Sequence, residues 1–193
     1  MPCNFRLIAG LGNPTPQYAR TRHNAGFWVV DEIAERAGAS FSADARTQGG
    51  LARMDCEGEA VYLLKPMQFM NRSGGAVAAL ARFYRIEPEQ ILVVHDELDF
   101  APGTLRLRRG GGHGGHNGLR DIITCLGSSD FWRLRIGIGH PGERSAVAGY
   151  VLTPPSPADS VLLERAVECA SGFFPEIIAG KLDRVVGEMH SVP

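Results

Sequence analysis

Little in this sequence of 193 residues suits a membrane, an export route or a disulfide scaffold. No apolar run approaches the roughly 18 residues that a membrane-spanning helix needs. The opening Met1-Pro2-Cys3-Asn4-Phe5-Arg6-Leu7-Ile8 has no basic stretch followed by a long apolar one, so an export signal is not expected. The four cysteines, Cys3, Cys56, Cys125 and Cys169, stand far apart without a CxxC pair. That spacing suggests neither a zinc knuckle nor a disulfide framework, and reduced thiols are the simplest expectation. There is no GxSxG elbow and no cysteine beside a histidine, so water activated by a general base is preferred over a covalent intermediate. Gly10-Leu11-Gly12-Asn13-Pro14-Thr15 fails as a dinucleotide fingerprint because Thr15 replaces the third glycine. Internal repeats and domain linkers are also missing. The expectation is a soluble, cytoplasmic protein with a single domain over residues 1–193, long enough to bury a core without metals or disulfides.

A net charge of -1 argues against a nucleic-acid partner until its distribution is considered. Residues 104–144 carry seven arginines (Arg106, Arg108, Arg109, Arg120, Arg133, Arg135, Arg144) against Asp121, Asp130 and Glu143, whereas residues 145–193 carry three basic and six acidic side chains. The basic segment also holds Gly110-Gly111-Gly112-His113-Gly114-Gly115-His116-Asn117-Gly118, in which six of nine positions have no side chain and the others are two imidazoles and an amide. A linker would use serine and charge instead. The run lets a bulky ligand approach the backbone. Asn117 reads as a capping residue for a helix over Gly118-Leu119-Arg120-Asp121-Ile122-Ile123, so the loop ends at a helix N-terminus, which favours anionic or carbonyl-bearing ligands.

Periodicity supplies the frame. Phe5 to Ala9 reads as a buried strand whose end delivers Asn13, and Phe27, Val30, Ile33, Ala34 and Ala37 recur at helical spacing up to Gly38. Gly50 to Met54 and Ala60 to Leu64 suggest a hairpin across Asp55 to Glu59, and a helix follows over Ala76 to Tyr84. Ile91-Leu92-Val93-Val94 is apolar on both faces, as in a strand covered by helices on each side, and it ends at His95-Asp96-Glu97-Leu98-Asp99. Strands at Thr104 to Arg108 and Trp132 to Ile138 and helices after Pro157 complete an α/β sandwich with a mixed, twisted sheet flanked by helices.

Asn13 and Asp96 follow apparent strands, where open α/β sheets bind ligands. His23, Asn71 and the His116-Asn117 pair stand at other boundaries. Each also has a plain use: Asn13 shapes a turn before Pro14, Asn71 caps a helix, and Asp96 pairs with Arg106 or Arg108. His23 is the best base, because an imidazole with a pKa of about 6.5 is mostly neutral at pH 7. A carboxylate on its other nitrogen fixes the tautomer, and Asp96 can supply it. His95, Asp96, Asp99, His113 and His116 form an alternative metal set, although a glycine loop does not preorganise ligands.

Four motifs in order, Tyr18-Ala19-Arg20-Thr21-Arg22-His23-Asn24-Ala25-Gly26, Phe69-Met70-Asn71-Arg72-Ser73-Gly74, His95-Asp96-Glu97-Leu98-Asp99 and Gly110 to Asp121, resemble the bacterial peptidyl-tRNA hydrolase family from about Leu7 to Leu152. The resemblance implies a cytoplasmic, monomeric esterase without cofactor or metal that splits the bond between a peptide and the terminal ribose of tRNA, recycling peptidyl-tRNA in translation. It implies His23 as general base, Asp96 as the group that holds it, and Asn13 as the residue that separates blocked from free aminoacyl-tRNA. Asn71 and Asn117 then hold the peptide main chain and the attacking water, with His116 beside them. Tyr18 and Phe69 line the cleft, Met70 packs beneath it, and Arg108 and Arg135 grip the tRNA 5′-phosphate. Gln68 stands where threonine is common, and Arg108 where lysine is common, which keeps phosphate binding and changes its geometry. Two other readings are a non-catalytic RNA-binding module on the same fold and a metal-dependent hydrolase built on the histidine loop.

Overall fold

The computed structural model describes residues 4–189. Seven strands form one mixed sheet: β1 (Leu7–Gly10), β2 (Ser42–Asp44), β3 (Gly49–Cys56), β4 (Glu59–Pro66), β5 (Ile91–Glu97), β6 (Leu105–Arg109) and β7 (Trp132–Gly137), in the order β2-β3-β4-β1-β5-β7-β6. The four central strands β4, β1, β5 and β7 run parallel. The antiparallel β3 with β2 closes one edge and antiparallel β6 the other.

The sheet is covered on both faces because its central strands are apolar on both. Ile8, Leu92 and Val94 join one core layer, while Leu7, Ala9, Ile91 and Val93 join the other. Helix α1 (Ala25–Arg36) packs in the first layer with α4 (Val147–Val151), α5 (Pro157–Gly172), α6 (Phe174–Ile178) and α7 (Leu182–Met189). The second layer holds α2 (Ser73–Tyr84) and α3 (Asn117–Leu126). The expected helix ending at Gly38 is present, as is the hairpin expected across Asp55 to Glu59, whose turn is tighter because the strands run to Cys56 and from Glu59. No helix among the described residues is long and apolar enough to cross a membrane.

Three findings differ from the sequence reading. The short exposed strand β2 has no apolar pattern to betray it. β5 runs on through His95 and Asp96, because its ladder to β7 continues past the apolar run, with His95 opposite Arg135 and Asp96 opposite Ile136. Cys125 and Cys169 are free, but Cys56 is disulfide-bonded, so the expectation of reduced thiols fails there.

Candidate functional site

The carboxyl ends of the parallel strands share one edge, and Asn13, His23, Asp96 and His116 gather there. Asp96, fully buried near the end of β5, accepts two hydrogen bonds from two histidines. His23 Nδ1 donates to Oδ2 at 2.9 Å, and His116 Nε2 donates to Oδ1 at 2.9 Å. His23 sits in a single 3-10 turn (Arg22–Asn24) that leads into α1. Asn24 fixes this turn to the end of β1: its Oδ1 accepts from Asn13 N at 2.8 Å and its Nδ2 donates to Asn13 O at 3.0 Å. Asn13 Oδ1 in turn accepts from Met70 N at 2.8 Å, and the Met70 sulfur lies under Gly118 in the first turn of α3. Asn13, His23, Met70, Asp96 and His116 are thus tied together by bonds and contacts across five separate chain segments.

Electrostatics define the pair's roles. Burial pushes the Asp96 carboxyl up, but the charges of His23 and His116 and their hydrogen bonds override it and hold the group well below the usual carboxylate range. Burial pulls His23 down, yet the charge of Asp96 and its hydrogen bond more than offset this, so the imidazole is raised above its ordinary value. With Nδ1–H given to Asp96, His23 keeps the lone pair of Nε2 for a proton. His95 lies one residue before Asp96 and is fully buried; burial first, then the neighbouring His116, push it down to about 3, so it stays neutral. Its Nδ1 donates to the Asp96 carbonyl at 2.7 Å.

His116, not Asn117, caps α3: its Nδ1 accepts from Leu119 N at 3.4 Å. That corrects the capping role read for Asn117, which is the first helical residue and is exposed. Both ring nitrogens of His116 are therefore committed inside the protein. It orients Asp96 and α3, and its expected contact with substrate would need one of these bonds to open.

Phe69 is 54% exposed and Asn71 is exposed, Tyr18 is half-buried, and Met70 is buried. His23, Asp96, His116 and Asn117 line a cavity of about 680 Å³, together with His140 and Val147. Arg108 and Arg135 lie on the β6/β7 ladder, where Arg108 faces Arg133 and Arg106 faces Arg135. Arg108 is exposed and Arg135 half-buried. Burial and the charges of Arg108 and Arg106 lower Arg135, against the opposing pull of Glu97 and Asp99.

Among the described residues, the group that can converge on a cation is His23, Asp96 and His116, with ligand atoms within 4.8 Å. The set drawn from residues 95–116 alone does not form. Sequence reasoning also missed Asn24 and Arg22. Arg22 looks like a surface cation beside His23, but it is 7% exposed and donates to the carbonyls of Tyr150, Thr153 and Pro154, clipping the His23 turn to the end of α4 and the residues after it. Nothing in its residue type signals that burial.

Comparison with known proteins places this geometry in context. A family model described as peptidyl-tRNA hydrolase matches residues 7–193. The chain is 53% identical over 185 residues to a peptidyl-tRNA hydrolase of Acidithiobacillus ferrooxidans, covering 96% of this chain and 98% of that protein. It is 55% identical over 185 residues to one of Methylococcus capsulatus, with the same coverage of 96% and 98%. The crystal structure of peptidyl-tRNA hydrolase from Acinetobacter baumannii superposes with a TM-score of 0.94 at 44% identity, covering 99% of this chain and 97% of that one.

Proposed function

Because the chain belongs to the peptidyl-tRNA hydrolase family and so hydrolyses the ester between a peptide and the terminal ribose of tRNA, we propose that His23 is the base that activates the attacking water. The observation that carries this reading is the 2.9 Å bond from His23 Nδ1 to the buried, ionised Asp96. It leaves Nε2 as the proton acceptor and places a negative charge beside the imidazolium that forms as water attacks. A positioned base of this kind supplies about 10² to 10⁴ in rate, enough for an ester, whose leaving group departs more easily than an amine. The exposed amides of Asn71 and Asn117 hold the peptide main chain and the water, and the N-terminus of α3 faces the developing oxyanion. The open wall at Tyr18 and Phe69 takes the peptide.

Asn13 selects the substrate. A backbone N–H can only donate, so the bond from Met70 N assigns the Asn13 oxygen inward and leaves its amide N–H groups for the cleft. Donors suit the acyl carbonyl of a blocked amino group and disfavour the ammonium of a free one. Arg108 and Arg135 take the tRNA 5′-phosphate, each with a planar fork of donors. In this reading the enzyme is a cytoplasmic monomer, a single domain over residues 1–193, working without metal or other cofactor. In the metal-hydrolase alternative Asp96 would have to serve as a ligand while its two oxygens already accept from His23 and His116.

Release of labelled N-acetyl-amino acid from its tRNA ester tests the proposal. Wild type is expected to be indifferent to chelator, and His23→Ala to lose about 10² to 10⁴ in rate with tRNA affinity retained. Full activity in that variant, or abolition of wild-type activity by chelator, would overturn it.

A further inference from the structure

We propose that Arg133 is a positioning residue for hydrolysis, a buried cation that clamps the glycine run by two carbonyls and so fixes His116 and Asn117 at the head of α3. The proposal rests on the reading that this loop serves the active site.

The β6/β7 ladder sets Arg106, Arg108, Arg133 and Arg135 on one face, while Leu105, Leu107, Leu134 and Ile136 face the core on the other. Like charges directly opposite one another destabilise a ladder. Three of these arginines reach solvent at least in part, but Arg133 is 4% exposed. Its Nη1 donates to Gly112 O and its Nη2 to Gly111 O, both at 2.5 Å, and its guanidinium lies 4.8 Å from the centre of the Phe131 ring. Spanning two successive carbonyls needs a planar fork, which an ammonium lacks.

A cation in this place is not explained by stability. Burial, then the charges of Arg108 and Arg135, lower the guanidinium to about 10, so it remains charged at neutral pH despite an unfavourable environment. An apolar side chain of similar volume would avoid that desolvation. What the cation achieves is a fixed loop. Gly111 sits at a φ of +99°, and the chain then makes a turn closed by His116 N donating to His113 O at 2.9 Å. The turn delivers His116 to Asp96 and to its capping bond. Arg108, the phosphate-reading residue of the proposed function, packs against the same peptide: a Cβ at Gly111 would lie 2.8 Å from its Nη2.

The test measures kcat and KM for Arg133→Lys and Arg133→Met on N-acetyl-aminoacyl-tRNA and on a short 3′-terminal fragment ester that has no tRNA 5′-phosphate. Folded protein is verified by thermal melting. The clamp predicts a fall of about 10 to 10²-fold in kcat on both substrates, no rescue by lysine, and a fragment KM within about twofold of wild type, as expected for misplaced reacting groups. Loss confined to the full tRNA would make Arg133 one more phosphate ligand and overturn the proposal. A lowered melting temperature with wild-type kcat would make it merely structural and also overturn it. Should either variant fail to fold, Phe131→Leu keeps the cation and removes the ring beside it; the same pattern at smaller amplitude is expected, and unchanged kcat refutes the clamp. Asn117→Ala, with Arg133 intact, separates the two claims. Full fragment hydrolysis there would sink the reading of the loop itself, whereas its loss beside active Arg133 variants would sink only the clamp.

Discussion

Asn13 offers the sharpest test at the scale of one residue, because its oxygen is occupied and its proposed character toward substrate is that of a donor. In Asn13→Asp one carboxylate oxygen can still accept from Met70 N while the other faces the cleft as an acceptor. Cleavage of unblocked aminoacyl-tRNA relative to the N-acetylated form should then rise by about tenfold or more, corresponding to about 1.4 kcal/mol of altered discrimination. Equal losses on both substrates would reduce Asn13 to general positioning. The types and places of Asn13, His23 and Asp96 were legible in the sequence, since Asn13 and Asp96 follow apolar runs and His23 stands just before one. Asn24 was not. Its two bonds to Asn13 join residues eleven apart, and before folding it is only a polar residue at a helix start. The cap of α3 was misassigned for a similar reason: asparagine is the better capping type, but a ring nitrogen one residue earlier is in reach of Leu119 N.

Among the elements, α1 shows most clearly how packing positions chemistry. A Cβ on Gly26, in its first turn, would lie 2.3 Å from Val94 O and 2.5 Å from Leu11 N, so the helix start is pressed against β5 and the end of β1. Gly26→Ala should destabilise the fold by about 1 to 3 kcal/mol through overpacking and displace the His23 turn, lowering both the urea midpoint and kcat. Wild-type values for both would show that the helix start can give way freely. The long elements α1, α2 and β5 announced themselves through apolar periodicity. The short ones did not: β2 has three residues with none buried, and α4 has five residues with Val151 alone buried, too few to display a period. The extension of β5 through Asp96 was hidden because the apolar signal stops where the ladder does not.

The whole molecule carries a net charge of -1, and the proposed capacity for RNA rests on the placement of the arginines on the β6/β7 ladder. If Arg108 and Arg135 hold the 5′-phosphate, their joint replacement by alanine should reduce the salt slope of tRNA binding by roughly 0.7 to 0.9 per lost contact and remove the preference for 5′-phosphorylated over dephosphorylated tRNA. An unaltered slope and preference would place the RNA elsewhere. Charge segregation was visible in the sequence; the burial of Arg133 among neighbours that reach solvent at least in part was not, since residue type says nothing of which arginine the glycine run will cover. The same global folding joins His23 to Asp96 across 73 positions, and that pair is the centre of the account. The most direct measurement is the pH dependence of single-turnover hydrolysis of N-acetyl-aminoacyl-tRNA by wild type and Asp96→Asn. His23 must be neutral to act and its pKa is raised, so the wild-type rate should climb through a midpoint above about 6.5. Asp96→Asn removes what raises that value and leaves the burial that lowers it. Its midpoint should therefore move to lower pH while the plateau rate falls by about 10² to 10⁴. An unmoved midpoint together with an undiminished plateau would contradict the pair.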